Sequence, residues 1–337
     1  MLKNRSIAFK LILFFTASSA LIFLLVFSFN YRFSRSMIEK NVEGNARNLV
    51  LSNVNRIETI LLSVEKVAEN MACFLEKGSY RQDELLHLLH TVVKNNPEIY
   101  GATIAFEPYA FDKKSLHFAP YFCKNKGKIE LSYLGGETYP YFYLDWYQIP
   151  KELKQPCWSE PYFDEGGGNI LMATYSVPFY KVVGEKRQFR GIVTADISLG
   201  WLQDVVSSIK ILQTGYGFLI SKNGTIVTHP FKELIMHETI FGVAEARGDT
   251  QLREIGRKMI RGESGFVTFK SIVSEQECWM YYTPVPSSSW SLAVLFPRDE
   301  FMADIQDLTR LSSFLEWVVY YSFPWWRHSS PVLLQIP

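Results

Sequence analysis

Two acids near the middle of the chain, Asp164 and Asp196, follow an unusual crowd of aromatic residues: Tyr139, Tyr141, Phe142, Tyr143, Trp146 and Tyr147. Tyrosine and tryptophan offer a large apolar body with one polar handle, and their ring faces attract cations. A buried acid needs a positive or hydrogen-bonding partner. Together these types describe a pocket for a small cationic or amino-bearing ligand. The same types would also make an aromatic sheet core with two turn acids, and composition alone does not separate the two. A third chemistry is open to a pair of acids, general acid and base catalysis as in glycoside hydrolysis.

Other catalytic signals are missing. The chain has no GxSxG, HExxH or P-loop, and its six histidines are scattered. His229 and His237 have no companion at metal-ligand spacing. Gly166-Gly167-Gly168 could cradle a phosphate, but no Lys-Ser/Thr follows it, so a mobile lip beside Asp164 is the expected use. Cys73, Cys123, Cys157 and Cys278 show no metal spacing. Cys123 and Cys157 flank the aromatic cluster and could pair outside the cytoplasm, or remain free thiols. No cofactor and no metal is implied. A net charge of +1 gives no support to nucleic acid as a partner.

The elements that must position these residues begin with a basic N-terminus, Lys3, Arg5 and Lys10, followed by an uncharged apolar run over residues 11–29. That run is long enough to span a bilayer as a helix. The basic flank places the N-terminus in the cytoplasm and the rest outside it. From residue 36 to 75, Val42, Ala46, Leu49, Val50, Val54, Ile57, Leu61, Val64, Ala68, Met71 and Leu75 recur at three and four spacing. This predicts a long stalk helix whose stripe packs on its own domain, on a twin helix in a homodimer, or on both. A helix over 82–93 follows. Strands are then expected over 99–106, 128–133, 172–180 and 189–197, the last ending near Asp196, with an exit helix over 201–209.

A second unit follows. Asn223-Gly224 between two β-rich runs is a strong hairpin signal. A helix over 250–261, strands over 265–269, 278–283 and 290–296, and a helix from 298 complete it. The fold class is α+β: a transmembrane helix, a stalk and two modules with antiparallel sheets. The expected boundaries are 1–10 cytoplasmic tail, 11–30 membrane helix, 31–78 stalk, 79–213 distal module, 214–297 proximal module and 298–310 exit helix. Residues 311–337 read as a degraded second membrane segment or disrupted terminus, since Glu316 and Pro324 interrupt an apolar run.

DWYQIP, WSEPYFDEGGGN, TYSVPFY, GIVTADISL, GYGFLISKNGTIVTHP and YYTPVPSSSWSLAVLFP, in that order behind a long post-membrane helix, resemble the double Cache (dCache) sensor family. The resemblance implies an extracytoplasmic bacterial sensor with two PAS-like modules, the distal one binding a small molecule, anchored in the cell membrane and signalling to a chemoreceptor, kinase, cyclase or phosphatase output. With a degraded second span and no output domain, the chain reads as a truncated or frame-disrupted receptor, or one acting through a partner. In the amino-acid-binding subset, Tyr139, Trp146, Tyr147, Tyr162, Asp164 and Asp196 match the ligand motif. The arginine position is Leu144 instead. The resemblance assigns that arginine to the ligand carboxylate, so an amine fits better than a free amino acid unless Lys151 or a backbone amide supplies the positive end. The competing readings are a structural or interaction module without ligand and an anchored glycoside hydrolase.

Overall fold

The structure is a computed structural model that describes residues 6–137, 139–209 and 211–303. Helix α1 (Ile7–Lys77) is one run of 71 residues, with no proline to break its hydrogen-bond ladder. Its segment Ile7–Ser34 is long and apolar enough to cross a membrane and is not buried. The chain divides into two units. One takes in the residues up to Ala46 with the described residues from Pro297; the other, Arg47–Phe296, contains everything that concerns the site.

In this second unit α1 buries Val50, Val54, Ile57, Leu61, Val64, Ala68, Met71 and Leu75, while Leu49 is half-buried. That burial is achieved within a single chain. The stripe therefore serves the protein's own core. A second set of residues fastens the same helix. Glu58 accepts from the Ser287 backbone N–H and hydroxyl at 3.1 and 2.6 Å. Glu65 accepts from the Trp158 indole at 2.7 Å, Glu69 from the Tyr175 hydroxyl at 3.2 Å, and Glu76 from the Tyr180 N–H at 2.9 Å and Arg187 at 2.7 Å. Steps of seven and four residues keep these acids on neighbouring turns of one face.

Strands β1 (Gly101–Phe106), β2 (Pro120–Asn125), β3 (Lys128–Tyr133), β4 (Cys157–Trp158), β5 (Tyr162–Phe163), β6 (Leu171–Val183) and β7 (Lys186–Ser198) form the first antiparallel sheet. Its order is β3-β2-β1-β7-β6-β4, with β5 also paired to β6. The long β6–β7 hairpin turns at Gly184, whose φ of 63° lies in the left-handed region that glycine enters freely. Helix α2 (Gln82–Asn95) packs on β1 and β2, and α3 (Asp145–Leu153) packs on β6 and β7. Helix α4 (Leu199–Ser207) leads into the second sheet. That sheet holds β8 (Tyr216–Ile220), β9 (Ile226–Thr228), β10 (Gly265–Lys270), β11 (Glu277–Val285) and β12 (Trp290–Pro297) in the order β10-β11-β12-β8-β9. Helices α5 (Ile240–Arg247) and α6 (Thr250–Ile260) close a core with Phe218, Leu252, Met259 and Leu295.

Most expected elements are present with shifted ends; β2, α3, β4, β5 and α5 are additional. Residues 298–303 are helical, as expected. The remainder of the exit helix and the segment 311–337 lie outside the described residues. Cys123 and Cys157 are free thiols. They sit on β2 and β4, four strand steps apart, which is about 19 Å against the ~7 Å limit for a disulfide.

Candidate ligand-binding site

The register of the first sheet assembles a polar floor. Gly101 pairs with Cys123 on one side and Asp196 on the other, and Asp196 pairs with Thr174. The next row of the same face, two residues along, is Tyr121, Thr103, Thr194 and Ser176. Side chains that alternate across a strand thus bring five hydroxyl groups and one carboxyl group to a buried surface. Gly101 is the gap in this floor: a Cβ there would lie 2.3 Å from the Tyr121 hydroxyl. Tyr121 therefore leans over the glycine toward Asp196. Its hydroxyl is buried and completes no hydrogen bond, although it is near enough to help hold the Asp196 proton more loosely.

Asp196 is 3% exposed and accepts from the Thr174 hydroxyl at 2.8 Å. Because the Thr174 proton is committed to that carboxylate, the 2.8 Å contact between Thr174 and Tyr162 has Tyr162 as donor. Burial, and then the negative charge of Asp164, push the Asp196 carboxyl up to about 7. Two acids in one buried cluster resist ionising together.

Asp164 reaches the cluster from β5, where alternation turns Tyr162 inward, Phe163 out to solvent and Asp164 back in. Its carboxylate accepts from the Tyr139 hydroxyl and, at 2.6 Å, from the Gly168 N–H. The glycine run is a turn folded onto this acid, not a free lip: the Asn169 N–H returns to the Asp164 carbonyl at 2.8 Å, and Asn169 Oδ1 accepts from the Gly166 N–H at 2.9 Å. A Cβ on Gly167 would lie 2.2 Å from the Asp164 carboxylate. Glycine is required there by proximity.

A cavity of about 780 Å³ opens beside these residues. Tyr139, Leu144, Trp146, Tyr162 and Asp164 stand on its wall, together with Trp158, Glu160 and Ser176. Glu160 Oε1 and the Ser176 hydroxyl are buried polar atoms with no hydrogen-bond partner among the described residues. The Trp146 indole N–H lies beside the Tyr139 hydroxyl without completing a bond to it. Each such group carries a penalty of about 1–3 kcal/mol until something polar meets it.

Four of the six residues expected from the sequence, Tyr139, Trp146, Tyr162 and Asp164, thus share one wall. Asp196 lies behind that wall and touches it through Thr174. Tyr147 faces elsewhere: its hydroxyl donates to Glu107 at 2.6 Å. Consecutive residues on a helix point about 100° apart, so α3 can aim Trp146 at the cavity or Tyr147, not both. Lys151 is also taken, at 2.8 Å from Glu107, and does not stand at the cavity as a positive end. Sequence reasoning missed Tyr121, Thr174, Thr194 and Ser176. Their signal was a polar residue at every second position of otherwise apolar strands.

Two family models match the chain. A methyl-accepting chemotaxis protein-like first PDC sensor domain covers residues 85–204, and a Cache 3/Cache 2 fusion domain covers residues 191–310. The chain carries a double Cache sensor domain. Among the relatives of this double Cache domain is the methyl-accepting chemotaxis protein McpC of Bacillus subtilis, 22% identical over 265 residues. That match takes in 74% of this chain and 37% of McpC, so the chain spans little more than a third of the relative's length. The crystal structure of the extracellular domain of mmHK1S-Z3, described as a histidine kinase, matches with a TM-score of 0.67 at 27% identity. It covers 80% of this chain and 97% of that one. The ligand-binding domain of the Pseudomonas aeruginosa amino acid chemoreceptor PctC, in complex with GABA, shares the double Cache fold. Its TM-score is 0.54 at 17% identity, over 76% of this chain and all of that one.

Proposed function

We propose that this double Cache domain is the extracytoplasmic sensor of a membrane receptor and that its ligand is a small amine. One observation carries the ligand class. A buried carboxylate, Asp164, stands on a cavity wall with Tyr139, Trp146 and Tyr162 around it and a second acid, Asp196, behind it. An ammonium there meets charge, ring faces and hydroxyl acceptors at once. The unpartnered Glu160 oxygen on the same wall favours a cation as well. That PctC holds an amino compound in the same fold agrees with this reading.

Trp158 supports a sensing role. It lines the cavity, donates to Glu65 on α1, and its ring centroid lies 6.5 Å from that of Trp290 in the second sheet. An occupant that shifts Trp158 therefore moves groups on the helix that leads to the apolar N-terminal segment. The hydrolase reading is less well supported, because both carboxyls of a glycosidase must flank the scissile bond. Asp196 is behind Thr174 instead.

Small amines are expected to raise the melting temperature of the full chain held in detergent or nanodiscs. A hundredfold excess over Kd corresponds to about 2.7 kcal/mol of stabilisation. Asp164→Asn should remove the shift. Leu144→Arg, at a wall position, should move preference toward α-amino acids by adding a carboxylate anchor. Stabilisation by sugars or dicarboxylates but not by amines would defeat the amine reading while leaving the sensor fold standing.

The location has its own test. With Lys3, Arg5 and Lys10 ahead of the apolar segment, alkaline phosphatase fused at Gly184 or Gly224 should be active. Activity of a cytoplasm-restricted reporter at those sites would reverse the topology.

A further inference from the structure

A second cavity, of about 120 Å³, shares no lining residue with the one beside Asp164. It lies where β1 stops at Phe106 and the β6–β7 hairpin runs on past it, next to Gly78 and Ser79 in the link from α1 to α2. One side is apolar. Phe111 and Phe179 stand against Phe106, with ring centroids 5.1 and 5.2 Å from its own, and Leu75 and Leu85 join them from α1 and α2. The other side carries Tyr180, Lys181 and Arg190.

Among the described residues neither of these two cations meets an acid. The Lys181 ammonium donates to the Ser79 hydroxyl at 2.8 Å, and the Arg190 guanidinium donates to the Ala110 carbonyl. The acids nearby are spent elsewhere: Glu76 on Arg187 and the Tyr180 N–H, Glu107 on Lys151 and Tyr147. An ammonium has three donors and a guanidinium five, so one neutral acceptor each leaves both unsatisfied. The Tyr180 hydroxyl is buried and has no hydrogen-bond partner among the described residues. Three donors on one small cavity call for an acceptor that carries negative charge.

Arg190 is brought there by a break in the strand pairing. Phe179 pairs with Gly191 and Tyr180 with Phe189, so Arg190 is the extra residue of a bulge and faces no residue of β6. Bulges re-aim side chains in this way. Gly191 makes room for it: a Cβ there would lie 2.2 Å from the Ala105 carbonyl oxygen. We propose that this cavity is a second binding site and that it takes a short-chain aliphatic monocarboxylate. The carboxylate meets Arg190, Lys181 and the Tyr180 hydroxyl, and the alkyl chain lies on the phenylalanine side. An apolar cavity of about 150 Å³ accepts benzene, so the space here suits an acid of three or four carbons. Such an occupant joins the end of α1 to the hairpin that carries Arg190. The proposal is independent of the amine reading.

The test is calorimetric titration of the full chain in nanodiscs with sodium acetate, propanoate and butanoate at fixed ionic strength. Propanamide, which has the shape without the charge, and inorganic phosphate, which has the charge without the chain, are the comparisons. Affinity should rise about threefold to fourfold with each added methylene. Propanamide should bind at least about tenfold more weakly than propanoate. Arg190→Met and Lys181→Met keep the apolar stems and should each weaken propanoate by a similar factor. Neither should alter the thermal shift given by amines. Lys181 is exposed, so its variant decides the matter if Arg190→Met fails to fold. Phosphate binding as tightly as butanoate, or affinity that ignores chain length, overturns the monocarboxylate class. Propanoate binding that survives Lys181→Met, or no binding of any carboxylate, overturns the site.

Discussion

Ile57→Glu should unfold the sensor domain. Ile57 is 1% exposed at the middle of the stripe that α1 buries between Val50 and Leu75. A carboxylate placed there loses its hydration in a position closed to water. Together with the lost isoleucine burial the cost is roughly 5 kcal/mol, comparable with the entire stability of many domains. Leu49→Glu, at a half-buried position one turn from the edge of the same stripe, should cost about 1 kcal/mol or less. A stripe that served as a dimer seam would behave differently: both variants would lose self-association and keep their fold. Limited proteolysis and circular dichroism of the two variants in detergent, with sedimentation at several concentrations, distinguish the cases. A folded, monomeric Ile57→Glu protein would return the stripe to an intermolecular role.

The helix itself was legible because its signal is long and regular, with eleven apolar positions in step and no proline. Which surface the stripe met was not legible, since periodicity gives a face and not its partner. The four glutamates that fasten α1 to the strands are spaced like any solvated helical face, and only the tertiary contacts with Ser287, Trp158, Tyr175, Tyr180 and Arg187 distinguish them. The hairpins at Gly184 and at Asn223-Gly224 were readable from turn chemistry that acts over a few residues. Helix α3 was not, because Pro150 lies inside its nine residues and so short a run shows little more than two turns of any period. Trp146 and Tyr147 were expected together in the pocket because both match the ligand motif of the resembling sensors. Once they are known to lie on a helix, one must turn away. The polar floor depends on cross-strand register, which pairs Asp196 with Gly101 and Thr174 across gaps of 95 and 22 residues and leaves no local trace.

Asp196→Asn should change the pH dependence of both stability and binding. In the folded protein the Asp196 carboxyl titrates at about 7, whereas its ordinary value is 3.8. Between those values the folded chain holds a proton that the unfolded chain has released. Stability therefore falls as pH rises from about 4 to about 7, and the full loss, on the order of 4 kcal/mol, is present above 7. Asparagine carries no such charge, keeps an oxygen for the Thr174 hydroxyl, and offers its amide to the unpartnered Tyr121 hydroxyl. The variant should match the native protein near pH 4, where Asp196 is protonated, and exceed it in melting temperature at pH 8. Binding should move the other way. An ammonium in the cavity favours the ionised form of Asp196, so amine affinity of the native protein should rise between pH 6 and pH 8, by up to about tenfold per unit below the titration. In Asp196→Asn that rise should flatten and the affinity at pH 8 should drop. Thermal melts from pH 4 to 8 and calorimetry with one amine measure both. A variant that is less stable than the native protein at every pH, with an unchanged pH profile for amine binding, would show that Asp196 is a structural acid with no part in holding the ligand's charge.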